Sequence, residues 1–192
     1  MKNLLALFIV IATAASAQES PAPPRPVPAP ASISTAPVDS LNEHLQPFKS
    51  YLNRTWKGTF IGESGQPPMY DIARWERILN GQAIRMMHSV NKGIYGGETI
   101  LFWDKSKKSL VYYYFTTAGF FTQGTMSVAE GKWVAHEYVA NNANGITEVR
   151  STSEFRADGS MFTVAEFLQN GSWVPGHSIE YVEEPGAEMI FR

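Results

Sequence analysis

The sequence predicts an all-β protein, a ten-stranded antiparallel up-and-down β-barrel preceded by one short N-terminal helix. Three observations carry this. From Thr55 onward, ten short runs rich in Val, Ile, Thr, Tyr, Phe and Trp follow one another. Most are separated by tight turn signals, among them Asn80-Gly81, Ala118-Gly119, Glu130-Gly131, Asn144-Gly145, Asp158-Gly159 and Asn170-Gly171. Several put Gly after Asn or Asp and so supply the positive φ that hairpin turns require. No connection has room for a crossover helix, so neighbouring strands run antiparallel. A meander of this length leaves two costly edges unless it closes; a two-sheet sandwich is the rival arrangement.

In chain order, Met1-Lys2-Asn3 leads into an uncharged run over residues 4–15 and the Ala15-Ser16-Ala17 site, the form of a cleavable signal peptide over 1–17. That run is too short to span a bilayer, and no later one reaches the length a membrane helix needs. The expected address is therefore secreted or periplasmic, with no integral membrane segment after cleavage. Residues 18–39 form a Pro-rich linker: seven of the twelve prolines fall between Pro21 and Pro37, a density that favours an extended polyproline II spacer over a fold. The barrel domain is expected over 40–192. Ser40-Leu41-Asn42-Glu43 has capping-box spacing, and Leu41, Leu45, Phe48 and Leu52 recur at helical intervals. Strands are expected over 56–62, 69–79, 82–91, 98–104, 110–117, 120–129, 132–140, 146–157, 160–169 and 173–183.

Composition narrows the chemistry. The 192 residues are 44% hydrophobic and carry 16 Lys+Arg against 18 Asp+Glu, with no basic run, so a nucleic-acid partner is not expected. The absence of cysteine excludes a disulfide scaffold, a thiolate nucleophile and zinc-thiolate or iron-sulfur sites.

The segment Leu52-Asn53-Arg54-Thr55-Trp56-Lys57-Gly58, a helix end followed by T-W-x-G at the first strand, resembles the start of calycin-type barrels, the group holding lipocalins, fatty-acid-binding proteins and nitrobindin-like proteins. A second resemblance, to an uncharacterised bacterial family of exported lipocalin-like domains, lies in Arg77-Ile78-Leu79-Asn80-Gly81, in Phe102-Trp103-Asp104-Lys105-Ser106-Lys107-Lys108 and in the Gly119 to Gly124 spacing. Together the resemblances cover residues 52–173. They imply a barrel whose Trp56, with Gly58, closes one end, and a lumen for a small apolar molecule. The nitrobindin-like branch implies haem as an alternative cofactor, one inward histidine as its ligand, and action on nitric oxide or peroxynitrite.

No G-x-S-x-G elbow, phosphate loop or dinucleotide fingerprint is present. His136-Glu137 begins like a zinc protease motif, but Ala140 stands where the second histidine would be. No catalytic residue and no metal ligand is therefore assigned, and binding is favoured over enzyme activity. Strand parity then selects the lumen residues, because alternate side chains of a closed barrel face inward. The third run splits into Ile84, Met86, His88 and Val90 against Ala83, Arg85, Met87 and Ser89, and the more apolar set holds His88. The seventh gives Val134, His136 and Tyr138 against Trp133, Ala135, Glu137 and Val139, where the charge of Glu137 assigns it outward and His136 inward. The last gives Trp173, His177, Ile179 and Tyr181 against Val174, Ser178, Glu180 and Val182, and the uncharged aromatic set holds His177.

The expected ligand-binding residues are thus His88, His136, Tyr138, His177 and Tyr181. They would orient the polar end of a mostly apolar ligand, or they are ordinary interior residues bonded to backbone and buried water. Aromatic residues at Tyr112-Tyr113-Tyr114-Phe115 and Phe120-Phe121 are expected to pair across strands, with self-association through an outer patch as an alternative. Arg74, Glu76, Arg77 and Arg85 are expected to form a charge network rather than to bind a ligand carboxylate. A third alternative is a solid barrel serving as an envelope interaction module.

Overall fold

The computed structural model describes residues 40–62 and 67–192; the expected signal peptide and Pro-rich linker lie outside the described residues. Ten strands follow in sequence: β1 (Arg54–Ile61), β2 (Tyr70–Ile78), β3 (Ala83–Val90), β4 (Tyr95–Asp104), β5 (Ser109–Thr116), β6 (Phe121–Ala129), β7 (Lys132–Tyr138), β8 (Ile146–Phe155), β9 (Met161–Gln169) and β10 (Ser172–Glu183). Each pairs antiparallel with the next, and β1 pairs with β10 from Trp56↔Glu183 to Ile61↔Ser178, so the meander closes into a barrel. That last ladder removes both edges and decides against the sandwich. The turns behave as their residues dictate: at Asn170-Gly171 both φ values are positive, 50° and 81°, as a two-residue hairpin of matching twist requires. Among the described residues no helix is long and apolar enough to cross a membrane.

The opening helix differs from expectation in start and type. It is a 3₁₀ helix over Glu43–Tyr51, capped by Asn42, whose side chain accepts from the His44 N–H, rather than a helix capped at Ser40. Pro47 inside it lacks a backbone donor, which disfavours a continuous α-helical ladder. Three residues per turn put Leu45, Phe48 and Tyr51 on one face, and all three are buried. The expected α spacing had chosen Leu52 in place of Tyr51; Leu52 follows the helix and is half-buried.

That face stops one end of the barrel. Phe48 lies 6.1 Å from Trp75 and 5.6 Å from Trp133. Tyr51 lies 5.1 Å from Trp75, 4.8 Å from Trp133 and 5.2 Å from Phe155. Those partners come from β2, β7 and β8, so the helix reaches across the mouth. Trp56 is fully buried and its indole N–H donates to the Tyr51 carbonyl at 3.5 Å. The helix is also tied to the β2–β3 turn, where the Asn42 N–H donates to the Gly81 carbonyl at 2.8 Å and Arg77 Nε donates to the Ser40 carbonyl at 2.6 Å.

Outside, Glu76 accepts from Arg74 Nε at 2.8 Å and from Arg85 Nε at 3.1 Å, which is the expected charge network without Arg77. Tyr113 stacks on Phe102 and Phe115 meets Phe121, the expected cross-strand aromatic pairs. After β10 the chain turns back along the outer face of β1 to β3, with the Glu184 N–H donating to the Thr55 carbonyl and the Ser89 hydroxyl donating to the Ile190 carbonyl.

Because Phe48 is fully buried against Trp75 and Trp133, Phe48→Ala is expected to cost about 3–5 kcal/mol. Urea denaturation followed by tryptophan fluorescence checks this, and a midpoint unchanged from the parent would show that the helix does not stabilise the barrel.

Candidate functional site

Behind the aromatic stopper the side chains do not meet across the barrel, and a cavity of about 390 Å³ remains. Its walls are mostly apolar: Phe60, Trp75, Met86, Met126, Trp133, Ala135, Phe167 and Ile179 are among them. A few polar groups stand in that wall, and they are arranged by three glycines in mid-strand.

The first is Gly58 on β1, flanked in register by Tyr181 of β10 and Asp71 of β2. A Cβ at Gly58 would lie 2.5 Å from the Tyr181 ring, so its absence lets that ring lean across β1. The Tyr181 hydroxyl then donates to Asp71 Oδ2 at 2.7 Å, across the strand that closes the barrel. The second is Gly97 on β4, opposite His88 of β3. A Cβ there would lie 2.5 Å from the Tyr114 ring, which uses the space to bring its oxygen within 2.7 Å of His88 Nε2. The third is Gly124 on β6, between Tyr112 of β5 and Glu137 of β7. A Cβ there would lie 2.6 Å from the Tyr112 hydroxyl.

Asp71 is the hub. Oδ2 accepts from Tyr181 and Oδ1 accepts from His88 Nδ1 at 3.1 Å, so both carboxylate oxygens are engaged. Burial pushes its pKa up, but the charge and hydrogen bond of His88 and the bond from Tyr181 outweigh burial and hold it below the ordinary value. For His88, burial pushes down and the Asp71 charge and hydrogen bond push up, with a net rise. The Tyr114 hydroxyl donates onward to the Tyr95 oxygen at 3.0 Å. The Asp71 carboxylate beside His88 favours its charged imidazolium form, which can donate from both nitrogens. Burial drives the Tyr114 and Tyr181 hydroxyl pKa values far up, so neither phenol is a nucleophile at neutral pH.

Two lumen groups lack such satisfaction. His177 Nδ1 and Thr122 Oγ1 are both buried with no hydrogen-bond partner. Burial pushes the His177 pKa down, with His88 adding to that and Asp71 opposing it, which keeps the ring neutral between Phe60 and Phe167. Glu137 faces the lumen, and burial pushes its carboxyl up; the Thr122 hydroxyl and the charge of His88 pull the other way. Among the described residues no group of three or more His, Cys, Asp or Glu is placed to hold a metal ion.

The structure brings three of the expected lumen residues together, His88, His177 and Tyr181. It turns the other two outward. His136 Nδ1 pairs with Glu148 on the outer face of β8, and Tyr138 is 51% exposed. On β7 the inner set is Trp133, Ala135, Glu137 and Val139. Trp133, which must bury its ring under the helix, fixes the parity of this strand, and Glu137 goes inward with it. Trp173 also departs from the expected inner set: its ring packs under Arg150 at 4.2 Å on the outer face. A register shift between Pro175 and Ser178 inverts the alternation, so that His177, Ile179 and Tyr181 face in. Asp71, Tyr114, Tyr95, Tyr112 and Glu137 were missed. Their signal was a mid-strand glycine next, across a strand pair, to a tyrosine or a charged residue, and it is visible only once register is known.

Of the three histidines expected in the lumen, only His177 keeps a ring nitrogen open toward it. Both His88 nitrogens are engaged by Asp71 and Tyr114, and His136 is outside. His177 could offer only Nε2, because Nδ1 is covered, and Nδ1 then lacks the acceptor that normally orients a metal-bound imidazole. No protein-family model and no curated protein sequence matches the chain.

The Asp71–His88 pair sets a pH window. Asp71, held below its ordinary 3.8, contributes stability above that value and loses it as pH falls through the folded value. His88, held above its ordinary 6.5, contributes below that value and loses it as pH rises through the folded value. The pair therefore contributes most between the two ordinary values. Asp71→Asn is expected to cost about 3–5 kcal/mol near pH 5, and less near pH 3 and pH 9. Urea midpoints of both proteins at the three pH values check this; a gap that does not vary with pH would refute the ion pair.

Proposed function

We propose that this protein is a calycin-like barrel, acting in an exported compartment, that binds one small, largely apolar molecule noncovalently in its lumen. The observation that carries this is the cavity itself: about 390 Å³ lined mostly by apolar side chains, with His177 Nδ1 buried in its wall without a hydrogen-bond partner. This is the size and chemistry of a small-molecule pocket, where a few placed polar groups fix orientation and apolar contact supplies affinity. An unsatisfied buried polar atom costs about 1–3 kcal/mol, and a ligand that bonds to it recovers that cost. The same cavity weighs against a solid interaction module, whose interior would be filled by side chains.

The polar network favours binding over catalysis. An Asp–His pair activates a nucleophile by taking its proton, but His88 ends on Tyr114, whose hydroxyl is buried and held well above its ordinary pKa. The pair consequently works as a rigid frame for the lumen wall.

A nonionic dye sensitive to its surroundings, N-phenyl-1-naphthylamine, is expected to brighten and shift to the blue on mixing with the protein. Ala135→Trp, which places an indole into the lumen, is expected to abolish uptake while far-ultraviolet circular dichroism stays unchanged. If the parent takes up no dye, and protein purified from its host shows only the bare polypeptide by native mass spectrometry, the binding proposal fails.

A further inference from the structure

Among the described residues, the lumen wall carries two carboxyl groups and two imidazoles. Asp71, Glu137, His88 and His177 line it, and no lysine or arginine of the described residues does. Asp71 is spent, since each of its oxygens already accepts a hydrogen bond and His88 balances its charge. Glu137 is not spent. It shares the lumen wall with no lysine or arginine, and the groups that favour its charged form are the Thr122 hydroxyl and the more distant charge of His88.

Around Glu137 stand phenol rings. The charge of Glu137 is felt by Tyr95, Tyr112 and Tyr114, which come from β4 and β5 across the lumen wall. Gly124 lies opposite Glu137 in the ladder, and the Tyr112 ring fills the space where a Cβ would be. A carboxylate walled by electron-rich rings attracts a cation by both charge and ring quadrupole. The same wall disfavours an anion, which would lose its hydration and meet Glu137, while His88 is already paired with Asp71.

Resting on the small-molecule proposal above, we infer that the lumen is built for a lipophilic amine, whose ammonium group binds Glu137 and Thr122 while its alkyl part lies along the apolar wall. An ammonium has three donors and no acceptor. Glu137 and Thr122 each offer an oxygen to it, in a wall that also holds Tyr112 and Tyr114. Binding would also relieve the burial that pushes the Glu137 carboxyl up, because an adjacent positive charge favours the ionised form.

The test is a ligand series of equal chain length, decylamine, decanol and decanoate, measured by displacement of N-phenyl-1-naphthylamine from the full chain at neutral pH. Decylamine is expected to bind about tenfold or more tightly than decanol, the margin of a charge-assisted hydrogen bond, and decanoate weakest. Glu137→Gln is expected to remove the amine's advantage and leave decanol unchanged. If the three bind alike, or decanoate binds best, the amine inference is overturned while the barrel remains a binder. If none displaces the dye and no dye binds, the binding proposal falls and takes this inference with it. The parent series decides the question even if Glu137→Gln fails to fold.

Discussion

One buried carboxylate ties the barrel together where the chain closes on itself. Asp71 on β2 receives the Tyr181 hydroxyl from β10 across Gly58 of β1, and the His88 imidazole from β3 on its other side. Placing a bare carboxylate there would cost several kcal/mol, and the cost is offset only because both oxygens are bonded and an opposite charge is adjacent. The β1–β10 ladder joins residues more than a hundred positions apart, so nothing local holds it in register. The Tyr181–Asp71 bond does so from the inside, because a slip of one residue would turn Tyr181 out of the lumen and leave Asp71 unpaired. From Asp71 the order passes to His88, then Tyr114, then Tyr95, and so reaches four strands of the wall.

The two ends of the barrel solve opposite problems with the same residue types. At the stopped end, Trp56, Trp75 and Trp133 meet Phe48 and Tyr51 and leave no room. Further along, tyrosines that could fill the lumen instead lie flat over Gly58, Gly97 and Gly124, held against the wall by the space those glycines leave. Three mid-strand glycines are costly in strand propensity. Their return is a cavity whose polar groups are fixed before any ligand arrives, since each tyrosine oxygen is placed by a backbone approach rather than by a flexible side chain.

The fold was legible because it depends on features that one sequence displays: β-rich runs, turn residues and the lack of room for crossovers. The strand limits in the structure fall close to the sequence-derived ones, with β4 starting three residues earlier, at Tyr95. The lumen was only half legible. Parity placed His88 correctly because Ile84 and Met86 share its face, and it failed on β7 because a charged residue was assumed to face water. Trp133 was the better guide there, since a buried indole constrains a strand more firmly than a carboxylate excludes one. On β10 the Pro175 to Ser178 shift broke the alternation, so Trp173 and His177 could not both be placed by counting in twos. The Asp71 hub was beyond reach, because its partners lie on β3 and β10 and only register brings them together.

A barrel of this architecture says little about what it holds; the charges on its inner wall say more. An apolar lumen that carries arginine or lysine is set for the acid end of a lipid, and the outer face here shows what that would require. Arg74 and Arg85 are fully occupied by Glu76, and Arg150 by Glu166, all on the surface. Inside, His88 is paired with Asp71, which leaves Glu137 as the acidic group of the lumen wall without a paired cation. A carboxylate in a place of low dielectric acts more strongly on whatever enters than it would in bulk water. If the lumen holds such a molecule, as proposed, selection between an acid, an alcohol and an amine of the same carbon chain falls to one side chain, while the apolar wall, indifferent to the head group, sets only the length and bulk that will fit.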